Sequence, residues 1–196
     1  MPHLNPWDRR PRATVGDPTE DITFAAVGRA LTGWELFEVW LSRIFAELTG
    51  YDRGTSPAMR AYGAIMAFGS RADMVKAAAE AYFTHHPSPG IHNRLRDLLK
   101  LALKYSPRRN EIAHGIVYDL SQRGIASYYL MPPEYASNKM EMSSGKYRVV
   151  SHFRFKYASP DINHFTDCFR ADLEMTASDL WRETEALNSA RREASQ

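Results

Sequence analysis

The chain has 196 residues, of which 44% are apolar and 24% are charged, and this composition is typical of a compact globular domain. Its 25 basic and 23 acidic residues leave a net charge of +2, so any basic surface must be local. The single cysteine, Cys168, excludes an internal disulfide framework and a cysteine-based zinc site. No apolar run approaches the length of a membrane span and the N-terminus lacks a signal-peptide pattern, so we expect a cytoplasmic protein with no membrane partner.

The first 18 residues contain four prolines and three arginines. Prolines at this spacing oppose a helix, because each removes an amide donor and clashes with the preceding turn. The sequence therefore predicts a disordered basic arm over 1–18, a single helical domain over 19–192 and a short tail over 193–196.

Apolar residues recur every three to four positions between residues 21 and 48, which predicts a long first helix. They cover more than one side of that helix, so we expect it to pack on several sides, within a bundle or against a partner chain. Ser106–Pro107 predicts a kink or a restart, because proline disrupts a helix interior. Further helices are predicted over 56–67, 71–83, 91–105, 108–114 and 159–187.

The pattern changes to alternation between these last two helices. Strands are predicted over 116–120, 125–131 and 146–157, with a polar loop over 137–146. The predicted fold class is mainly α, an up-and-down helical bundle with a small antiparallel β-sheet, at about 116–158, inserted before the C-terminal helix.

The segment from Arg109 to His114 has the clearest chemical potential. Asn110 and His114 are four residues apart and share a face of a helix, and Arg109 lies about 140° around the helix from His114. A guanidinium group binds two phosphate oxygens at once, and an imidazole can transfer a proton near neutral pH. This set of side chains suits a phosphodiester substrate.

The same six residues, RNEIAH, resemble the motif of the HEPN superfamily, which has an arginine, a polar residue, three variable residues and a histidine. The resemblance extends to the helical context, over roughly 21–115. It implies a fold of HEPN type and a metal-independent endoribonuclease without a cofactor, in which two copies of the motif meet in one cleft of a homodimer. In such an enzyme His114 would activate the ribose 2′-hydroxyl or protonate the leaving oxygen, Arg109 would hold the phosphate, and Asn110 would orient these groups.

The resemblance also implies a role in a toxin–antitoxin or antiviral defence system, with an antitoxin or a regulatory protein as a partner. In one subgroup of toxins a tyrosine stands two residues after the motif histidine. Here Ile116 occupies that position, so we do not expect modification of a motif tyrosine.

Basic residues outnumber acidic ones by seven to three between residues 92 and 123, and the predicted sheet has a second basic face. Backbone phosphates of RNA could use both. Glu35 and Glu38 on the first helix are candidates to orient the basic pair. The histidines at 85, 86 and 92 have no standard metal-ligand spacing, so no metal site is predicted. The candidate RNA-binding residues are Arg108, Lys104, Arg154 and Lys156.

Two alternatives to a ribonuclease remain open. A non-catalytic dimerisation or adaptor module of HEPN type would keep the basic pair for packing. A nucleotide-sensing module would use the added sheet to bind a small molecule.

Overall fold

The computed structural model describes residues 5–8, 11–50, 57–122, 125–133, 140–143, 146–149 and 155–194. Contacts divide the chain into two compact units, each built from two separate stretches. Unit 1 comprises residues 1–32 and 107–168, and unit 2 comprises residues 33–106 and 169–196.

The described chain is mainly helical, with antiparallel strands before the last helices, as the hydrophobic periodicity predicts. The first helix ends two residues before Gly50, whose φ of +76° is the left-handed conformation that a helix C-cap favours. The helices are α1 (Glu20–Leu48), α2 (Pro57–Ala64), α3 (Phe68–His85), α4 (Pro89–His114), α5 (Ser159–Phe169) and α6 (Met175–Ala194).

Two short antiparallel strand pairs lie between α4 and α5. Strand β1 (Ile116–Asp119) pairs with β2 (Tyr128–Met131), with Val117 opposite Leu130. Strand β3 (Met140–Ser143) pairs with β4 (Lys146–Val149). The predicted small antiparallel sheet before the C-terminal helix is confirmed.

The β3–β4 pair differs from the prediction in its boundaries. Residues 140–143 were expected in a polar loop, yet they form β3, because the backbone of this polar stretch pairs with β4. The strand expected over 146–157 is described as a strand only to Val149, and residues 150–154 lie outside the described residues. Beyond them, Tyr157 forms an isolated bridge with Leu130.

Helix α4 is continuous through Pro107, so of the predicted kink or restart the restart does not occur. Proline removes one hydrogen bond, to the carbonyl of Leu103. Leu103 is 44% exposed, so water can reach this part of the helix. Tyr105 and Ile112, on either side of the proline, are buried and keep both halves of the helix packed.

The helix predicted over 159–187 is interrupted by a π-helical segment, Arg170–Glu174. Phe169, just before this segment, and Leu173, within it, are both buried. The hydroxyl of Tyr105 donates a 2.6 Å hydrogen bond to Asp172 within the π segment. The spacing of apolar residues in the sequence does not distinguish a π turn from an α turn. A π turn contains one extra residue, and this moves the apolar pattern by a single position.

Aromatic side chains form the core of unit 2. Trp34 of α1 stacks on Phe169 with ring centroids 5.2 Å apart, and it meets Phe68 of α3 edge-on at 4.9 Å. Phe37 and Tyr105 also contact Phe169 edge-on, both at 5.6 Å. Phe169, at the end of α5, is thus the common aromatic partner of α1 and α4, and α3 joins the cluster through the contact of Phe68 with Trp34.

The described part of the N-terminal arm is packed within unit 1 and does not match the predicted disordered arm. Trp7 is only 2% exposed, and Asp17 is 4% exposed. Backbone hydrogen bonds of 2.9 Å join Asp17 and Tyr128 in both directions. The carboxylate of Asp17 also accepts bonds from Thr23 and from Ser159. These long-range contacts hold the segment in place. Its prolines oppose a helix, but they do not oppose an ordered segment without helix.

Among the described residues, no helix combines the length and the apolar character that crossing a membrane requires.

Candidate functional site

The candidate motif lies in the last two turns of α4, which ends at His114. Gly115 follows, and a Cβ on it would lie 2.6 Å from Cγ of Leu130 on β2. Leu130 is 1% exposed and has little room to move. The helix end therefore approaches the sheet at a distance that only glycine permits, and this approach sets the position at which the motif ends.

The motif side chains divide between a buried and an exposed side of α4. Ile112 is 1% exposed and packs in the core, whereas Asn110 and His114 are exposed. Nη1 of Arg109 donates a hydrogen bond of 3.3 Å to Oδ1 of Asn110. The structure thus brings Arg109 and Asn110 together, and it leaves the imidazole of His114 open to solvent on the same helix face as Asn110, one turn further along.

Arg108 lies on the buried side, although it was a candidate RNA-binding residue. Its side chain is 14% exposed and its guanidinium contacts the carboxylate of Asp8. Nε of Arg108 lies 3.0 Å from Oε2 of Glu111, and the guanidinium lies 4.6 Å from the ring centroid of Tyr157. Arg108 therefore pairs with two carboxylates and lies largely inside the protein, where it does not face a ligand.

The other candidate RNA-binding residues have different surroundings. Lys104 is exposed on α4. Lys156 is exposed as well, and its Nζ lies 3.7 Å above the ring of Tyr129 in a cation–π contact. Phe155 and Tyr157, on either side of Lys156, are both buried, which agrees with the predicted alternation. Arg154 lies outside the described residues.

The two candidate carboxylates on α1 also differ. Glu35 is exposed, whereas Glu38 is 6% exposed in unit 2. Oε1 of Glu38 accepts a hydrogen bond of 3.1 Å from Nε1 of Trp34. Its Oε2 accepts one from the hydroxyl of Tyr62 and lies 3.2 Å from Nη1 of Arg71. The Glu38 carboxylate is therefore engaged by residues of unit 2, while the motif belongs to unit 1.

Tyr157 is a site neighbour whose role the sequence does not reveal. Its hydroxyl donates a hydrogen bond of 2.7 Å to Oε2 of Glu111, within the motif. Burial raises the pKa of Tyr157 above its usual value of 10.0, and the nearby Arg108 charge opposes this shift. The pairing of Asp8 with Arg108 is also not evident from the sequence. The one indication that this polar segment packs on the protein is the adjacent Trp7, a large aromatic side chain.

Two of the three histidines considered for metal binding lie against aromatic rings. The ring of His92 stacks on Phe83 at 5.1 Å, and the ring of His86 lies 4.9 Å from Tyr82. Within the part of the chain that the structure describes, no group of three or more His, Cys, Asp or Glu side chains could hold a metal ion.

Comparison of the chain with protein-family models, with curated proteins and with solved structures gave no match. The resemblance to HEPN proteins therefore rests on the motif residues and their helical context.

Proposed function

We propose that this protein is a HEPN-like, metal-independent endoribonuclease that acts through Arg109, Asn110 and His114. The observation that carries the proposal is the combination of motif spacing with exposure. The exposed imidazole of His114 and the exposed amide of Asn110 share a helix face, and Asn110 is hydrogen-bonded to Arg109.

These side chains suit cleavage of RNA by its own 2′-hydroxyl. The 2′-oxygen attacks the phosphorus, the bond from phosphorus to the 5′-oxygen breaks, and the products are a 2′,3′-cyclic phosphate and a free 5′-hydroxyl. His114 takes the proton from the 2′-hydroxyl or returns one to the 5′-oxygen. Arg109 binds the phosphate and stabilises its developing negative charge, and the amide nitrogen of Asn110 donates to a phosphate oxygen.

The reaction needs one acid and one base, and each chain supplies one motif histidine. We therefore propose a homodimer in which two motifs share a cleft. Four exposed apolar residues of α1 support this proposal, because a second chain could cover them. They are Ile22, Phe24, Leu36 and Val39.

The test is incubation of purified protein with structured and unstructured RNA in EDTA. We expect cleavage by the unaltered protein, and a loss of at least about 100-fold in His114→Ala and Arg109→Ala, because general acid–base catalysis and phosphate binding each contribute about that much. Fragments should carry a 5′-hydroxyl, which a polynucleotide kinase can label without prior dephosphorylation.

The matched control is His85→Ala, which removes an exposed histidine at the end of α3. It should cleave like the unaltered protein. If His114→Ala and His85→Ala cleave equally, the activity does not belong to this site. If no variant cleaves but RNA binding depends on Arg109, the non-catalytic module is the better assignment.

A further inference from the structure

The segment Asn5–Asp8 is held within unit 1 by three separate contacts. The carboxylate of Asp8, whose side chain is 9% exposed, pairs with Arg108. The carbonyl of Pro6 lies 3.1 Å from Nε2 of His164 on α5. Between them, the indole of Trp7 is buried. The segment is thus held by charge, by a polar contact and by apolar burial.

Asp8 and Tyr157 contact Arg108 and Glu111, the two charged residues on the buried side of the last turns of α4. Asp8 pairs with Arg108, and Tyr157 donates its hydroxyl to Glu111 while its ring lies against the Arg108 guanidinium. Arg108 and Glu111 also pair with each other. Arg12 adds a second guanidinium, 5.5 Å from the Tyr157 ring centroid. The result is one connected network of ionic, hydrogen-bonding and cation–π contacts.

The position of this network on α4 relates it to the motif. Pro107 has no N–H, so the turn that follows is joined to the preceding turn by one hydrogen bond fewer than elsewhere in the helix. Arg108 is the next residue, and His114 lies about 240° around the helix from it. A rotation of the last two turns about the helix axis would therefore turn the exposed motif side chains by the same angle.

We propose that Asp8 and Tyr157 are positioning residues that hold the end of α4 in the rotation at which Asn110 and His114 face the RNA phosphate. This inference rests on the proposed function of the motif. It assigns a part in RNA cleavage to the N-terminal segment and to Arg108, which acts through the helix without contacting RNA.

The test compares Asp8→Asn, which removes the charge at nearly constant shape, with Asp8→Glu, which restores it. In Asp8→Asn we expect kcat for RNA cleavage to fall about tenfold with KM changed less than about twofold, because the phosphate contacts remain while the alignment is lost. Asp8→Glu should recover most of kcat. Tyr157→Phe, which keeps the ring and removes the hydroxyl, should lower kcat in the same way.

A second measurement does not depend on activity. Amide hydrogen exchange should quicken at least about fivefold in Asp8→Asn for residues 111–114 and stay unchanged for residues 93–102 of the same helix. The control is Asp97→Asn, which removes a 67% exposed carboxylate paired with Lys100 on α4 and should change neither readout.

The outcomes separate this inference from the proposed function. Unchanged exchange in Asp8→Asn would overturn the anchoring of the helix end. Faster exchange with unchanged kcat, or equal kcat in Asp8→Asn and Asp8→Glu, would overturn the positioning role. An unaltered protein that does not cleave RNA would overturn the proposed function and the positioning role with it, while exchange would still decide whether the segment anchors α4.

Discussion

Glu38 is a charged residue buried among polar partners in unit 2. Trp34, Tyr62 and Arg71 all direct a donor at its two oxygens, and Arg71 also donates from Nε to the carbonyl of Ile65 at 2.7 Å. This network joins α1 to α2 and α3. A buried charge is tolerated where its hydrogen-bonding capacity is filled, and its loss leaves the partners unsatisfied.

We expect Glu38→Ala to lower the free energy of unfolding by about 3 kcal/mol, because the Arg71 charge would lose its partner in a largely buried setting. Urea unfolding would measure this. The control is Glu80→Ala, which breaks the exposed pair between Lys76 and Glu80 (3.8 Å) and should cost less than about 0.5 kcal/mol. Equal losses in the two variants would contradict the network.

Because of Tyr62, the stability of the protein depends on pH in the alkaline range. Its pKa is raised above the usual 10.0 by burial and by the negative charges of Glu38 and Glu35, against the opposing charge of Arg71. Below pH 10 both the folded and the unfolded state keep the proton, so its stabilising effect is complete. Above pH 10 the unfolded state ionises while the folded state does not, so unfolding becomes more favourable.

We therefore expect the free energy of unfolding to fall above pH 10, by up to about 1.4 kcal/mol per pH unit for each such tyrosine. Tyr62→Phe should reduce this slope and leave the slope between pH 7 and 9 unchanged, because carboxylates stay ionised over the whole range. Denaturant unfolding at closely spaced pH values measures both slopes. Equal slopes above pH 10 in the two proteins would refute the effect of burial on Tyr62.

At the scale of elements, glycine decides where the N-terminal segment can approach β2. A Cβ on Gly16 would lie 2.6 Å from the carbonyl oxygen and 2.8 Å from the nitrogen of Tyr128. Backbone atoms of a paired strand cannot move aside as a flexible side chain can. We expect Gly16→Ala to lower the free energy of unfolding by about 2 kcal/mol and to weaken the pairing of Asp17 with Tyr128.

Gly28 provides the opposite case on α1. It is exposed in the middle of the helix, and a Cβ there would meet nothing within 4 Å. Gly28→Ala should therefore raise the free energy of unfolding by about 1 kcal/mol, the difference in helix propensity between the two residues. Thermal unfolding of both glycine variants checks the pair of predictions, and a shift of the same sign in both would contradict them.

Local sequence predicts the elements whose stabilisation is local. The bounds of α1 and the start of α5 at Ser159 agree with the predictions to within one residue, because caps and apolar periodicity act over a few positions. The continuity of α4 at Pro107 does not follow from the sequence. Packing on both sides of the proline outweighs its local preference, and that packing comes from distant residues.

At the scale of the whole molecule, the exposed apolar residues of α1 bear on the oligomeric state. Leu36 and Val39 are 41% and 38% exposed and share one side of the helix. We expect sedimentation to give twice the chain mass of 22.3 kDa at micromolar concentration. The double variant Leu36→Lys with Val39→Lys should shift the protein to a monomer, because charges would enter the apolar contact.

The matched control for association is Met66→Lys. Met66 is 92% exposed and lies outside α1, so its substitution should leave the mass unchanged. A monomer in the unaltered protein would remove the homodimer and, with it, the shared cleft. Dissociation by both the double variant and Met66→Lys would show a general effect of added charge and would count against α1 as the contact.

The amino-acid sequence alone determined the helical character, the insertion of antiparallel strands before the last helices and the position of the motif at the end of a helix. These features follow from periodicity, caps and turn residues, which act between neighbours in the chain. Only the tertiary structure decided that Asp8 pairs with Arg108, that Glu38 binds both Tyr62 and Arg71, and that the N-terminal segment packs within unit 1. These contacts join residues far apart in the chain, and their energy depends on burial that exists only once the chain has folded.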